Sequence, residues 1–465
     1  MDRFTSWMEE HFLPIATKIG GQRHLVAIRD SFIGIMPITM VGSVAVLLNV
    51  FFRDLPTEWG WTGFVEAMEP LIGVNGNVWF GSIAILALTF VFSLGYNISK
   101  SYDVNPLAGG VVAFSSLLAT LPEAANFSFA LPDVNPDNLS ALTDLGVDAH
   151  LAEDAVNIDV TGWGYIGLDY TGAEGLFTAL IIGLLSSMIY VKLMNSRITI
   201  KLPDSVPPAV SRAFAAIIPG IVSIYVAAIL GYLSVSFFDL AIGDLILEYI
   251  QRPLLGLSQG LFSILLVTFL VQVFWFFGLH GHNVLAPILD GVYLPALISN
   301  NETYQATQSS ADLPYLWTRG SFDAYAQLGG AGVTLGLIIA IFIFSKRKQS
   351  RTIAKIGAPM GIFNINEPVI FGMPIVLNPF YIIPWLIIPP ITAAIAYLLT
   401  AAGVIPPTFV VVPWVMPAGI HAYLSTGGSV LAGLVALFNL FVAFAIWTPF
   451  VLLANRVNKT DAEEL

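Results

Sequence analysis

Nine stretches of this chain carry no charged side chain over roughly the length of a membrane crossing. They are Ser31–Phe52, Trp79–Ser99, Pro106–Pro122, Gly175–Val191, Ala213–Phe238, Pro253–Leu279, Ala324–Ser345, Phe380–Thr400 and Ser429–Asn455. A helix needs about 20 apolar residues to span the hydrocarbon core. In lipid every backbone N–H and C=O must find its partner inside the protein, so only helices and closed barrels cross. A barrel would show short alternating segments, and these runs are continuous. The expected fold is an all-α polytopic membrane protein. The charged fraction agrees: it is 11%, against about 25% in soluble domains, with a mean hydropathy of +0.79.

Charge placement orients the chain. Lys and Arg cluster at Lys18–Arg29, Lys192–Arg212, Lys346–Lys355 and Arg456–Lys459, and such clusters favour the cytoplasmic side. Between Lys100 and Lys192 there is no Lys or Arg, while ten acidic residues fall between Glu123 and Glu174. That stretch, 122–174, is expected to be one long outside loop, and it carries much of the net charge of −12. No cleavable signal peptide is visible. Residues 1–29 mix Glu9, Glu10, Lys18 and Arg23 with Trp7, Phe12 and Leu13, the pattern of a helix lying on the membrane surface. Alternating sides between the basic clusters predicts ten crossings plus at least one re-entrant hairpin, with both termini cytoplasmic. The two irregular segments lie near 280–300 and 356–376.

Between Lys355 and Arg456 the only formally charged side chain is Glu367. An ionisable group inside a membrane segment costs at least ~2.5–3.5 kcal/mol and marks function by default. Glu367 stands in Asn364-Ile365-Asn366-Glu367-Pro368. The other irregular segment begins Trp275-Phe276-Phe277-Gly278-Leu279-His280-Gly281-His282-Asn283. Both put amide, imidazole or carboxylate groups beside Gly or Pro, where helices break and expose backbone to a polar solute. Such groups suit sugar hydroxyls, and the faces of Trp275 and Trp414 suit the apolar side of a pyranose. Blander roles stand beside these: Glu367 as a helix cap, Trp414 as an interfacial anchor, His280 as a buried core residue. His280, His282, Glu367 and His421 together form a weak alternative as a metal site, without the i, i+4 zinc spacing. Gly329-Gly330-Ala331-Gly332 and Gly336 are expected to serve close helix packing. The absence of cysteine excludes disulfides, thiolate metal sites and a phosphocysteine within this chain. With no P-loop and no GxGxxG after a strand, ATP-driven transport is unsupported, and nothing points to nucleic acid.

The sequence resembles the membrane-embedded IIC component of a bacterial phosphoenolpyruvate-dependent sugar phosphotransferase system, lactose/cellobiose (diacetylchitobiose) family. The matching pieces run nearly end to end. They include Leu13-Pro14-Ile15-Ala16-Thr17-Lys18-Ile19-Gly20, Met36-Pro37-Ile38-Thr39 and Lys201-Leu202-Pro203-Asp204-Ser205-Val206-Pro207. They continue with Trp275 to Gly281, Gly329 to Gly336 and Gly361 to Gly372. The acidic stretch 122–174 looks longer than usual for the family.

The resemblance implies a homodimer of ten-helix protomers with two re-entrant hairpins in the bacterial cell membrane. Residues 1–240 would form the scaffold and dimer half, 241–455 the half that holds the sugar and carries it across as a rigid unit, and 456–465 a cytoplasmic tail. His280 and Glu367 would lie beside the C6-OH that receives the phosphoryl group. Substrate contacts would also come from Asn364, Asn366, Trp275, Asn283, Asn77 and Trp414. Family members vary after His280-Gly281; here the pair is His282-Asn283. The chain would be the transporter subunit of a phosphotransferase complex, of the protein-phosphohistidine–sugar phosphotransferase class. The phosphoryl donor would be a phosphocysteine on a separate IIB protein, recharged by IIA. No cofactor is required. The competing classes are an ion-coupled sugar symporter with Glu367 as proton carrier, and a membrane metal enzyme.

Overall fold

The structure, a computed structural model, describes residues 18, 21–131, 139–152, 155–196, 198–203, 205–373, 375–376, 378 and 381–463. Most of the expected surface helix over residues 1–29 lies outside the described residues. Helix α1 (Arg23–Asn49) begins at a cap, where the Gln22 side chain accepts from the Leu25 N–H at 2.7 Å. It continues through a π-turn, Val50–Asp54. The next helices are α2 (Thr62–Phe80), α3 (Leu86–Ser101) and α4 (Pro106–Leu118). Asn105 caps α4 with Pro106 at its first position, the preferred place for a residue without an N–H. The apolar run 79–99 is therefore not one helix. It is split by turns over 81–85, where the Ser82 hydroxyl donates back to the Val78 carbonyl.

The acidic loop is not irregular either. It holds an antiparallel sheet of β1 (Ala124–Leu131), β2 (Ala149–Ala152) and β3 (Ala155–Trp163), in the order β1-β3-β2. The register pairs Ala124 with Trp163 and Ala149 with Ile158. Val156, Ile158 and Val160 alternate with Asn157, Asp159 and Thr161, a period-2 pattern that favours a strand. The purely helical expectation is corrected at this point, while the rest of the chain is mostly helical.

Next come α5 (Gly175–Met194), α6 (Ile217–Phe238) and α7 (Leu261–Phe276), followed by α8 (Leu294–Thr307), α9 (Thr334–Phe344) and α10 (Lys348–Ile362). The chain ends with α11 (Glu367–Gly372), α12 (Ile382–Ala401) and α13 (Val430–Glu463). Among the described residues six helices are long and apolar enough to cross a membrane. A seventh is added if Ile242–Ser258 and Leu261–Phe276, bent by 77°, make one span. Large apolar side chains such as Phe237, Leu257 and Phe262 stand more than 70% exposed, a surface that suits lipid. The chain is a multi-pass membrane protein.

Two large hydrophobic cores form, with a smaller third cluster that joins Val46 and Val50 to Tyr304, Phe409 and Val412. One draws on α1 and α3 to α6, from Ala27 to Ala227, with Ile298 added from α8; the other runs from Ile264 to Val451. Helix α8 ties them together. The Tyr304 hydroxyl donates to Asp54 at 2.9 Å, Trp79 Nε1 to Asn301 at 3.2 Å, and the Ala173 N–H to Glu302 at 2.9 Å. Glu302 lies outside the candidate spans. Burial pushes its carboxyl from 4.5 up to about 7, opposed by the Ala173 N–H and assisted by nearby Glu174 and Asp169. The folded state thus holds a proton that the unfolded state releases near pH 4.5. Stability from this group is full below 4.5, falls as pH rises toward 7, and stays low above it. Glu302→Gln is expected to raise the melting temperature in detergent at pH 8 by a few degrees, for at most about 3 kcal/mol, and to leave it unchanged at pH 4.5. An equal change at both pH values would contradict this assignment.

Candidate functional site: a polar cavity between two broken segments

Beyond Phe276 the chain cannot continue as a helix, because Gly278 takes φ +77°. It folds back as a short turn of helix, Gly281–Val284. A side chain at Gly281 is excluded: a Cβ there would lie 2.1 Å from the Val271 carbonyl oxygen and 2.9 Å from Trp275. This close return puts His280 against Trp275, with ring centres 4.4 Å apart, and lets Trp275 Nε1 donate to His282 Nδ1 at 3.2 Å. His280 caps the turn, its Nδ1 accepting from the Asn283 N–H at 3.3 Å. A neutral His280 therefore carries its proton on Nε2.

The second segment is a helical hairpin. Helix α11 folds back along α10, so that Gly357 faces Val369 and Gly372 faces Ile353. Its tip, 363–366, is irregular, and buried irregular backbone needs partners for its polar groups. Asn364, at φ +64°, does this work on both sides. Its Oδ1 accepts from the Gly329 N–H at 2.7 Å, and its Nδ2 donates to the carbonyls of Trp414 at 2.5 Å and Met416 at 2.9 Å. Asn366 Nδ2 donates to the Ala331 carbonyl at 2.7 Å and the Thr334 hydroxyl at 2.9 Å. The facing strip 329–333 is also broken. Gln272 accepts from the Gly332 N–H at 2.9 Å, and Trp447 Nε1 donates to the Gly332 carbonyl at 3.1 Å. Gly330 has φ +89°, and a Cβ there would meet the Asn366 amide at 2.5 Å. The glycine run was expected to serve helix packing. Gly336 does so, against Ala443 and Phe444 of α13, and Gly332 admits the Trp385 ring of α12; Gly329, Gly330 and Gly332, all at positive φ, also break the run beside the site.

These segments enclose a cavity of about 290 Å³. Trp275, His280, Asn283, Asn364, Asn366, Glu367 and Trp414 all line it. Seven of the eight residues singled out in the sequence thus meet on one wall or another. Asn77 does not; it is exposed on α2. His282 is on the wall, while His421 is buried away from it. No group of His, Asp and Glu arranged to hold a metal ion is found among the described residues.

Several cavity residues were not singled out by the sequence reading. Arg29, Ile33 and Met36 come from α1 in the other core, Asp290 comes from the first broken segment, and Arg319, Asp323 and Gln327 come from the stretch 319–327. Arg319 Nε donates to Asp290 at 3.0 Å, and its Nη1 lies 2.7 Å from Asp323. A signal for Arg319 was present: it is the only Lys or Arg between Arg252 and Lys346.

Residues 29–389 match the family described as Phosphotransferase system, EIIC. The chain belongs to this EIIC family. Two curated EIIC proteins show how far the likeness runs. The PTS system cellobiose-specific EIIC component of Lactococcus lactis subsp. lactis (strain IL1403) is 39% identical, with 100% of each chain covered. The PTS system oligo-beta-mannoside-specific EIIC component of Bacillus subtilis (strain 168) is 32% identical over 98% of this chain and 95% of its own. Among solved structures, this EIIC chain is similar to the transporter ChbC, the IIC component from the N,N'-diacetylchitobiose-specific phosphotransferase system. The TM-score is 0.85 at 28% identity, covering 98% of this chain and 99% of that one.

Proposed function

We propose that this EIIC permease binds a β-linked disaccharide, of the cellobiose or diacetylchitobiose type, in the 290 Å³ cavity, and presents its C6-OH to a phosphorylated IIB protein. One observation carries the reading: His280 and Glu367, delivered by two separately broken segments, line the same cavity with Trp275 and Trp414. The volume is just below the roughly 300–1,000 Å³ usual for ligand sites, and the walls combine flat aromatic faces with hydroxyl-binding groups.

In the reaction, Glu367 accepts the proton of the C6 hydroxyl as its oxygen attacks the phosphorus of the IIB phosphocysteine. The O–P bond forms and the P–S bond breaks, releasing the thiolate. His280 donates from Nε2 to the same hydroxyl oxygen and sets its direction. Positioning and charge stabilisation are most of what phosphoryl transfer asks of a protein. In this reading the protomer crosses the membrane ten times, its two broken segments enter as re-entrant hairpins, and both termini are cytoplasmic. Two protomers pair through residues 1–240, and 241–455 moves with the sugar. IIA recharges IIB.

The competing symporter makes an opposite prediction. In vesicles loaded with labelled cellobiose, sugar phosphate is expected on the IIB side only when phosphorylated IIB is present, and collapse of the proton gradient should have no effect. Gradient-driven sugar movement without IIB would instead establish the symporter and end the phosphotransfer reading.

A further inference from the structure

The cavity is also lined by polar side chains that the phosphotransfer step does not use. Asp290 comes from the π-turn Leu289–Tyr293, and Arg319 and Asp323 from the segment 319–326. All three line the cavity together with Gln327. Burying charges costs several kcal/mol per ion after relaxation, and their attraction only partly repays it. A cluster with a purely structural task would be sealed. This one is not: the side chains of Asp290 and Arg319 keep 24% and 18% of their surface open, and both border the cavity. Nε is spent on Asp290 and the buried Nη1 lies against Asp323 at 2.7 Å, which leaves the donors of Nη2 uncommitted within the cluster. Nε2 of the buried His282, on the same wall, makes no hydrogen bond of normal geometry, although Gln327 lies beside it.

We infer that Asp290, Arg319 and Gln327 form a specificity pole that grips free vicinal hydroxyls on the sugar ring remote from Glu367. This rests on the disaccharide reading above and extends it. A carboxylate beside a guanidinium offers an acceptor and a donor side by side. A vicinal diol matches that pair, one hydroxyl donating to Asp290 and its neighbour accepting from Arg319. A ring that lacks one of those hydroxyls leaves a partly buried charge without its partner, and sites built in this way discriminate strongly. An acetamido group at that position keeps an N–H donor but adds the bulk of an acetyl group in a cavity of only about 290 Å³. The pole therefore selects an unsubstituted hexose ring over an acylated amino sugar.

The test is a binding cycle on the full-length protein in detergent, read by intrinsic tryptophan fluorescence. Cellobiose is compared with monodeoxy cellobioses lacking one ring hydroxyl at a time. In the wild type, removing one hydroxyl of the remote ring should weaken binding by at least about tenfold, the size of one lost charge-assisted hydrogen bond. In Asp290→Asn the same deoxy sugar should cost less than about threefold relative to cellobiose, since the partner is already weakened. If Asp290→Asn misfolds, Gln327→Leu supplies the same cycle. Equal losses for every sugar in the variant, or no loss for any deoxy sugar in the wild type, would overturn the inference while leaving disaccharide binding intact. Failure of the wild type to bind any disaccharide would overturn the proposed function and this inference with it.

Discussion

Glu367→Gln is expected to bind cellobiose within about threefold of wild type and to lose at least about 100-fold in its phosphorylation by phospho-IIB. Glutamine keeps the shape and one acceptor oxygen, so the bound hydroxyl retains a partner. It cannot take a proton, and a positioned general base contributes about 10²–10⁴ in rate. The substitution also removes the only formal charge between Lys355 and Arg456. In a membrane segment that lowers a cost rather than adding one, so misfolding is not the expected outcome. Binding by tryptophan fluorescence and single-turnover transfer from labelled phospho-IIB separate the two effects. Transfer at near wild-type rate would show that the proton leaves by another route, and Glu367 would then be a binding group only.

Asn364→Ala is the second large effect, and it acts through the backbone. The Asn364 side chain serves three backbone groups: the Gly329 N–H and the Trp414 and Met416 carbonyls. Each buried polar group left without a partner costs about 1–3 kcal/mol. Alanine also tolerates φ +64° less well than asparagine, by about 1–2 kcal/mol. The expected result is a loss of at least about 3 kcal/mol in thermal stability in detergent, with disaccharide binding abolished. The second loss follows from position. Glu367 is three residues away on the same tip, and Trp414 is held through its own carbonyl. Asn364→Asp keeps the acceptor for Gly329 but loses both donated bonds and adds a charge, so it should fare no better. Unchanged sugar affinity in Asn364→Ala would mean that the tip is held by α11 and by the Asn366 bonds to Ala331 and Thr334 without Asn364.

The parts of this molecule that were legible in the sequence share one cause. Excluding water from the backbone leaves few solutions, so continuous apolar runs could be read as helices, and the lone Glu367 stood out against them. The two broken segments were legible for the same reason, since Gly and Pro beside polar side chains have no place in an uninterrupted span. The illegible parts depend on who faces whom. Nothing in the run 324–345 says that Gly330 must lie against Asn366, because that contact is made 36 residues away. Arg29 reads as one more positive residue near the start of a helix until α1 is packed against Ala286–Ile288 of the first broken segment. Asp290, Arg319 and Asp323 looked like interruptions of apolar segments. Only their convergence turns three liabilities into one wall. The sheet at 124–163 was a different kind of miss: its alternation was visible in Val156 to Thr161, and the acidic composition obscured it.

The cavity takes Arg29, Ile33 and Met36 from one core and its remaining walls from the other. A pocket of that kind is a joint as well as a receptacle. Whatever fills it adds adhesion between the two bodies, in proportion to its hold on the α1 side. An occupant gripped by both faces would act as a brake on any sliding of one body past the other. One gripped mainly by the Ile264–Val451 face would ride with it almost without friction. The distribution of polar groups leans toward the second case: α1 offers a single charged side chain, Arg29, already engaged by Asp30 at 2.6 Å, while the opposite face holds the carboxylates, imidazoles and amides. In the transport cycle proposed above, how lightly the cargo touches the α1 wall would matter as much as how firmly it is held.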